Sequence, residues 1–109
     1  MSHLTCPTDV VEAPIETVWS ILTEPAGWGE FFDMRVTSVI PQGKAVVGQI
    51  IEGETGLRFL GLRVRLRFTD VDARSKWLGI DCELPLGLKM REDMRLQSIN
   101  ENRCRVSFN

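Results

Sequence analysis

The sequence contains no tyrosine and a single histidine, His3, so it offers few groups for acid–base or nucleophilic catalysis. The first few residues of a domain are commonly poorly ordered, so His3 is a weak candidate for a catalytic base. The sequence therefore offers no convincing serine–histidine or cysteine–histidine pair. The segment around Gly43 and Lys44 lacks the upstream glycine of a phosphate-binding loop, and no G-x-G-x-x-G motif occurs. These absences argue against a catalytic triad and against nucleotide chemistry.

Cysteine is also scarce: Cys6, Cys82 and Cys104 are an odd number without C-x-x-C spacing. This pattern predicts neither a zinc site nor a paired disulfide framework, so we expect reduced thiols, no metal and no cofactor. No apolar run approaches the roughly 18 residues of a membrane-spanning helix, and the N-terminus lacks a signal-peptide pattern. The sequence thus predicts a cytoplasmic protein without a membrane span.

The length and the charge bound the organisation of the chain. Its 109 residues suit one domain, which we expect to cover residues 1–109. Residues 1–34 carry six acids and no base, whereas residues 35–109 carry thirteen bases and nine acids. The predicted outward positions of the basic part offer only Trp77 as a stacking aromatic, and RNA-binding sheets use several. We therefore expect a solvated face of ion pairs and no nucleic-acid partner.

Hydrophobic spacing predicts one strand, two short helices and six further strands. The first strand covers Leu4–Glu12. Pro14 suits the first position of a helix, which continues with apolar residues at helical spacing through Leu22. A second helical turn follows from Pro25. After Met34 the period is two, and turn signals recur at 41–44, 53–56, 70–74, 85–87 and 100–102. The result is an α+β chain with a curled antiparallel sheet of about seven strands.

The predicted sheet has one apolar face. Between Arg58 and Asp70, even positions are apolar and odd positions hold arginines, and the later strands keep their apolar side chains on even positions. Two short helices cannot cover so wide a face. We therefore expect a second copy of the chain to cover part of it, which predicts a homodimer. The sequence stops within the last predicted strand, so we expect the domain to be incomplete at its C-terminus.

The stretch Val11–Phe31 resembles the SRPBCC, or START-like, helix-grip superfamily. The shared features are Ala13-Pro14 before the first helix, Val18-Trp19 inside it, the Thr23-Glu-Pro25 break and Trp28. The polyketide cyclase/dehydrase-like branch is the most similar. The resemblance implies a hydrophobic tunnel, between a curled sheet and a long C-terminal helix, that holds lipids, polyketides or similar molecules. Some branches also run cyclisation or dehydration. This chain departs from the pattern, because no long helix follows its last predicted strand.

Glu92 is the most informative candidate for chemistry, because it shares even positions with Met90 and Met94 and is expected to face the apolar side. A carboxylate held among apolar side chains suits general acid or base catalysis. The alternatives are that a bulge turns it outward or that an arginine pairs with it.

We expect a hydrophobic ligand to lie between the sheet and the helices, although aromatic residues at helical spacing are more often core. The predicted lining is Trp19, Trp28, Phe32, Leu62, Leu66, Ile80, Met90 and Met94. Three functions stay open. The first is binding of a hydrophobic small molecule. The second is a cyclase/dehydratase-type enzyme with Glu92 as acid/base, and the third is an interaction module that dimerises through the uncovered sheet face.

Overall fold

A computed structural model describes residues 8–30, 34–55 and 62–108, with only the backbone of Thr55. These ranges contain seven strands, one α-helix and two short 3₁₀ segments. In chain order they are β1 (Thr8–Val11), α1 (Ile15–Leu22), a 3₁₀ helix (Pro25–Glu30), β2 (Met34–Ile40), β3 (Ile50–Thr55), β4 (Leu62–Asp72), β5 (Trp77–Glu83), a 3₁₀ turn (Pro85–Gly87), β6 (Lys89–Asn100) and β7 (Arg103–Phe108). The predicted order of a strand, two short helices and six strands is confirmed. Within the described ranges, no helix is long and apolar enough to span a membrane.

The strands form one antiparallel sheet in the order β1-β7-β6-β5-β4-β3-β2, so β1 and β2 are its edges. Two predicted turns differ from the structure. Gly53 lies inside β3, not in a turn at 53–56, and β4 continues to Asp72, so the turn predicted at 70–74 lies at 73–76. An added Cβ at Gly53 would lie 2.6 Å from the Met34 side chain and 2.7 Å from the carbonyl oxygen of Arg35. The glycine therefore permits a close approach of β2. Close approach of a neighbouring backbone is a common reason for a glycine within a strand.

One side of the sheet, called here the inner face, packs against the helices. It consists of the even-numbered residues along most of β4 to β7, joined by Ile51 of β3. The buried core contains Val18, Trp19, Leu22, Trp28, Ile51, Phe68, Leu78, Ile80, Met94, Leu96, Cys104 and Val106. A bulge after Phe68 shifts the register of β4, so that Val71 pairs with Leu78. The inward position in β4 therefore changes from even to odd beyond this bulge.

Trp28 holds the helical segment on the sheet. Its indole N–H donates to the Leu22 carbonyl at 3.1 Å, and its ring meets that of Phe68 edge-on with centroids 5.7 Å apart. Thr23 follows α1, and its hydroxyl donates to the Trp19 carbonyl at 2.8 Å. The short helices are thus fixed by side-chain contacts, because segments of this length are unstable alone in water.

Candidate ligand-binding site

A groove of about 310 Å³ opens on the inner face. Its walls come from the five strands β2, β4, β5, β6 and β7 and from the 3₁₀ helix, and its described lining is apolar apart from one thiol and one carboxylate. The lining residues are Trp28, Met34, Val64, Leu66, Ile80, Cys82, Leu84, Glu92, Met94 and Phe108. This volume lies at the small end of the range of about 300–1,000 Å³ for ligand pockets.

Glu92 faces the groove because β5 and β6 pair without a bulge. Their register runs unbroken from Trp77 opposite Arg95 to Glu83 opposite Lys89, and it places Glu92 opposite Ile80. This strand pair therefore contains no bulge that would turn Glu92 outward. No described side chain forms a hydrogen bond or ion pair with the Glu92 carboxylate, so no arginine of the described ranges pairs with it.

Within the described parts of β3 to β7, Glu92 is the one charged side chain that the register places on the inner face. The other acidic and basic side chains of these strands occupy outer-face positions. Arg67, Asp81 and Arg91, for example, are successive cross-strand neighbours there. The charge of Glu92 is thus separated by the sheet from the cations of the same strands.

Cys82 is the second polar group of the groove, and it is partly buried. Burial raises the pKa of its thiol to about 11, and the negative charges of Glu92 and Asp81 act in the same direction. Cys82 is therefore a neutral thiol near pH 7, and a neutral thiol is a poor nucleophile. Cys104 is also free, with a pKa raised by burial. The remaining cysteine, Cys6, lies outside the described residues.

A larger depression, of about 590 Å³, lies mainly on the outer face, where six charged side chains line it together with Ile50, Cys82 and Met90. Arg67 and Arg91 both pair with Asp81 there. Arg91 places its Nη2 2.8 Å from the Asp70 carboxylate and its Nη1 3.5 Å from that of Asp81. The hydrogen bond between Arg91 and Asp70 raises the pKa of the guanidinium and lowers the pKa of the carboxyl. The side chain crosses Gly79, where an added Cβ would lie 2.6 Å from the Arg91 Nη2. The inner groove therefore suits an apolar molecule better than this depression does.

Four of the eight residues predicted to bind a ligand line the groove, namely Trp28, Leu66, Ile80 and Met94, and Glu92 joins them. Three of the other four lie elsewhere. Trp19 is buried in α1 with the Lys76 ammonium 5.5 Å from its ring centroid, and Leu62 is half-buried at the start of β4. Met90 occupies an inner-face position opposite Cys82, but it is 48% exposed and lines the larger depression rather than the groove. Phe32 lies outside the described residues.

Sequence reasoning missed five groove residues, and a signal existed for four of them. Val64, Cys82, Leu84 and Phe108 share even positions with the residues that were predicted. Met34 carries no such signal, because it reaches the groove from the edge strand β2 across Gly53. Periodicity identifies the face of one strand, whereas the approach of another strand depends on tertiary packing.

This sheet, with two short helical segments between its first two strands, shares its fold with solved structures of aromatase/cyclases and of a norcoclaurine synthase. The aromatase/cyclase Zhui from Streptomyces sp. R1128 superposes with a TM-score of 0.78 at 18% identity. The match covers 94% of this chain and 62% of that chain. The norcoclaurine synthase from Thalictrum flavum gives a TM-score of 0.62 at 14% identity, over 96% of this chain and 69% of that chain.

The di-domain aromatase/cyclase BexL, from the BE-7585A biosynthetic pathway, gives a TM-score of 0.77 at 16% identity. That match covers 94% of this chain and 33% of BexL. No protein-family model matches the sequence, and a comparison with curated proteins finds no match. The chain spans less than two thirds of the length of Zhui. At these sequence identities the similarity establishes the fold alone. The fold agrees with the predicted helix-grip resemblance, which is thereby confirmed.

Proposed function

We propose that the chain binds a hydrophobic small molecule, such as a lipid or a polyketide, in the inner-face groove. The observation that carries this proposal is the apolar lining, in which Glu92 and Cys82 are the only polar residues among those that the structure describes. Removing apolar surface from water is favourable by about 25 cal/mol per Å², so even a ligand of modest size gains from entering the groove. The aromatase/cyclases among the structural neighbours support a ligand of this kind.

Titration with the neutral fluorescent probe N-phenyl-1-naphthylamine tests the proposal. We expect a saturable rise in fluorescence that Leu84→Glu weakens at least about fivefold, because Leu84 lines the groove. Leu86→Glu is the matched control, since Leu86 belongs to the same hairpin and is 97% exposed. Circular dichroism checks that both variants fold. Absence of saturable binding, or an equal loss in both variants, would refute the site.

A second candidate function is catalysis by Glu92, favoured by its unpaired carboxylate in the groove. In this role the carboxylate takes a proton from a carbon next to a ketone and returns it to the product. Incubation with 2-tetralone in deuterium oxide would then exchange that proton faster than buffer does. We expect Glu92→Gln to abolish the exchange while it retains binding of the naphthylamine probe. Exchange at the buffer rate would exclude this role for the ketone tested.

We further propose a homodimer that covers part of the apolar surface beside the groove. After the 3₁₀ turn, Leu88 is 59% and Met90 48% exposed, which is unusual for neighbouring large apolar side chains of one strand end. Static light scattering measures the mass directly. The mass of two chains supports the dimer, and the mass of one chain over the whole concentration range contradicts it.

A further inference from the structure

The Glu92 carboxylate lies apart from the positive charges of the sheet, and this position indicates which class of ligand the groove binds. In the described parts of β4, β5 and β6, every arginine and lysine occupies an outer-face position, on the other side of the sheet from the groove. Several acids of the outer face have cationic partners; Asp70 and Asp93, for example, both contact Arg91. The carboxylate of Glu92 has no such partner among the described residues.

A carboxylate on an apolar wall discriminates between ligands by charge. When an apolar molecule enters the groove, it displaces water from the carboxylate, and this desolvation is unfavourable unless the ligand supplies a donor. An ammonium group supplies both hydrogen-bond donors and the opposite charge, and such charge-assisted bonds are the stronger kind. A carboxylate on the ligand would meet a like charge instead.

We infer that the groove takes an apolar molecule that carries a protonated amine. The ammonium group lies on the Glu92 carboxylate, and the hydrocarbon body packs against Leu66, Ile80 and Met94, which share the groove with Glu92. The inference rests on the proposed function, because it names the chemical class of the molecule bound at the same site.

Three compounds with one naphthyl body test this preference: 1-naphthylmethylamine, 1-naphthylmethanol and 1-naphthoate. Each competes with bound N-phenyl-1-naphthylamine at pH 7. We expect the amine to bind at least about tenfold more tightly than the alcohol. A tenfold difference in affinity corresponds to the lower limit of what a hydrogen bond to a charged group contributes. The naphthoate should bind more weakly than the alcohol.

Glu92→Gln should bring the amine within about twofold of the alcohol, because the substitution removes the charge and keeps the size of the side chain. Glu83→Gln is the matched control. It removes the same charge from the outer face of the adjoining strand β5, and the preference for the amine should persist.

Equal binding of amine and alcohol by the wild-type chain overturns the inference, and so does a preference that survives Glu92→Gln. The comparison of the three compounds on the wild-type chain tests the inference even if neither variant folds. If the naphthylamine probe and all three compounds fail to bind, the proposed function fails and the inference falls with it. If they bind without preference for the amine, only the inference fails.

Discussion

Replacing Trp28 with phenylalanine should lower the free energy of unfolding by about 2–4 kcal/mol. The change removes the indole N–H that donates to the Leu22 carbonyl at 3.1 Å, and a buried carbonyl that loses its partner costs about 1–3 kcal/mol. The smaller ring also gives up apolar contact in a site where Trp28 is 2% exposed, which adds roughly 1 kcal/mol. In a domain of this size, each kcal/mol corresponds to about 4 °C in Tm, so the midpoint should fall by about 8–16 °C.

Trp77→Phe is the matched control for this experiment, because the same atoms are removed at a half-buried site. The Trp77 indole donates to the Asp93 carboxylate at 3.2 Å, and the Arg95 guanidinium lies 4.8 Å from its ring centroid. Water can replace that donor, so we expect a loss of about 1 kcal/mol or less. Thermal unfolding followed by circular dichroism measures both variants. An equal shift for the two, or a shift below about 3 °C for Trp28→Phe, would refute the reasoning.

Two further predictions follow from the strands. Gly53→Ala should destabilise the chain by about 1–3 kcal/mol in urea unfolding, because the new Cβ would lie 2.7 Å from the backbone oxygen of Arg35. Gly27→Ala, with no atom within 4 Å of its Cβ, should be neutral or stabilising, and equal losses would contradict the steric argument. Alkylation of Cys82 by iodoacetamide, followed by peptide mass mapping, should be slow at pH 8 and rise about tenfold per pH unit towards the pKa of about 11. Glu92→Gln should speed it at pH 8 by removing a charge that raises this pKa, and a rate independent of pH would contradict the assignment.

The sequence predicts the fold well because this sheet is built from hairpins with a clear period of two. That period correctly places Leu66, Ile80 and Met94 on the inner face and brings Glu92 among them. The prediction is weaker wherever tertiary contacts decide. A glycine is equally typical of a turn and of a close approach between strands. The pattern around Gly53 therefore predicts a turn, whereas the structure places this residue inside β3.

The helical residues show the same limit. Trp19 and Trp28 both belong to the apolar side of the N-terminal segment, and spacing alone does not distinguish them. In the structure Trp19 packs in α1 beneath Lys76, whereas Trp28 meets Phe68 and reaches the groove. The depth at which a side chain enters the core depends on the angle between helix and sheet, which no local pattern encodes.

The pairing of β1 with β7 has a consequence for folding. Val11 forms its register pair with Cys104, so the contact joins two distant parts of the chain. During synthesis β1 leaves the ribosome before the other six strands of the sheet, and its partner strand β7 is the last of the seven to appear. The six strands from β2 to β7 can pair in order as neighbouring hairpins, whereas β1 must close the longest loop of the sheet. Docking of β1 onto β7 is therefore expected as a late event in folding, and until then the edge of β7 is open to pairing with other chains.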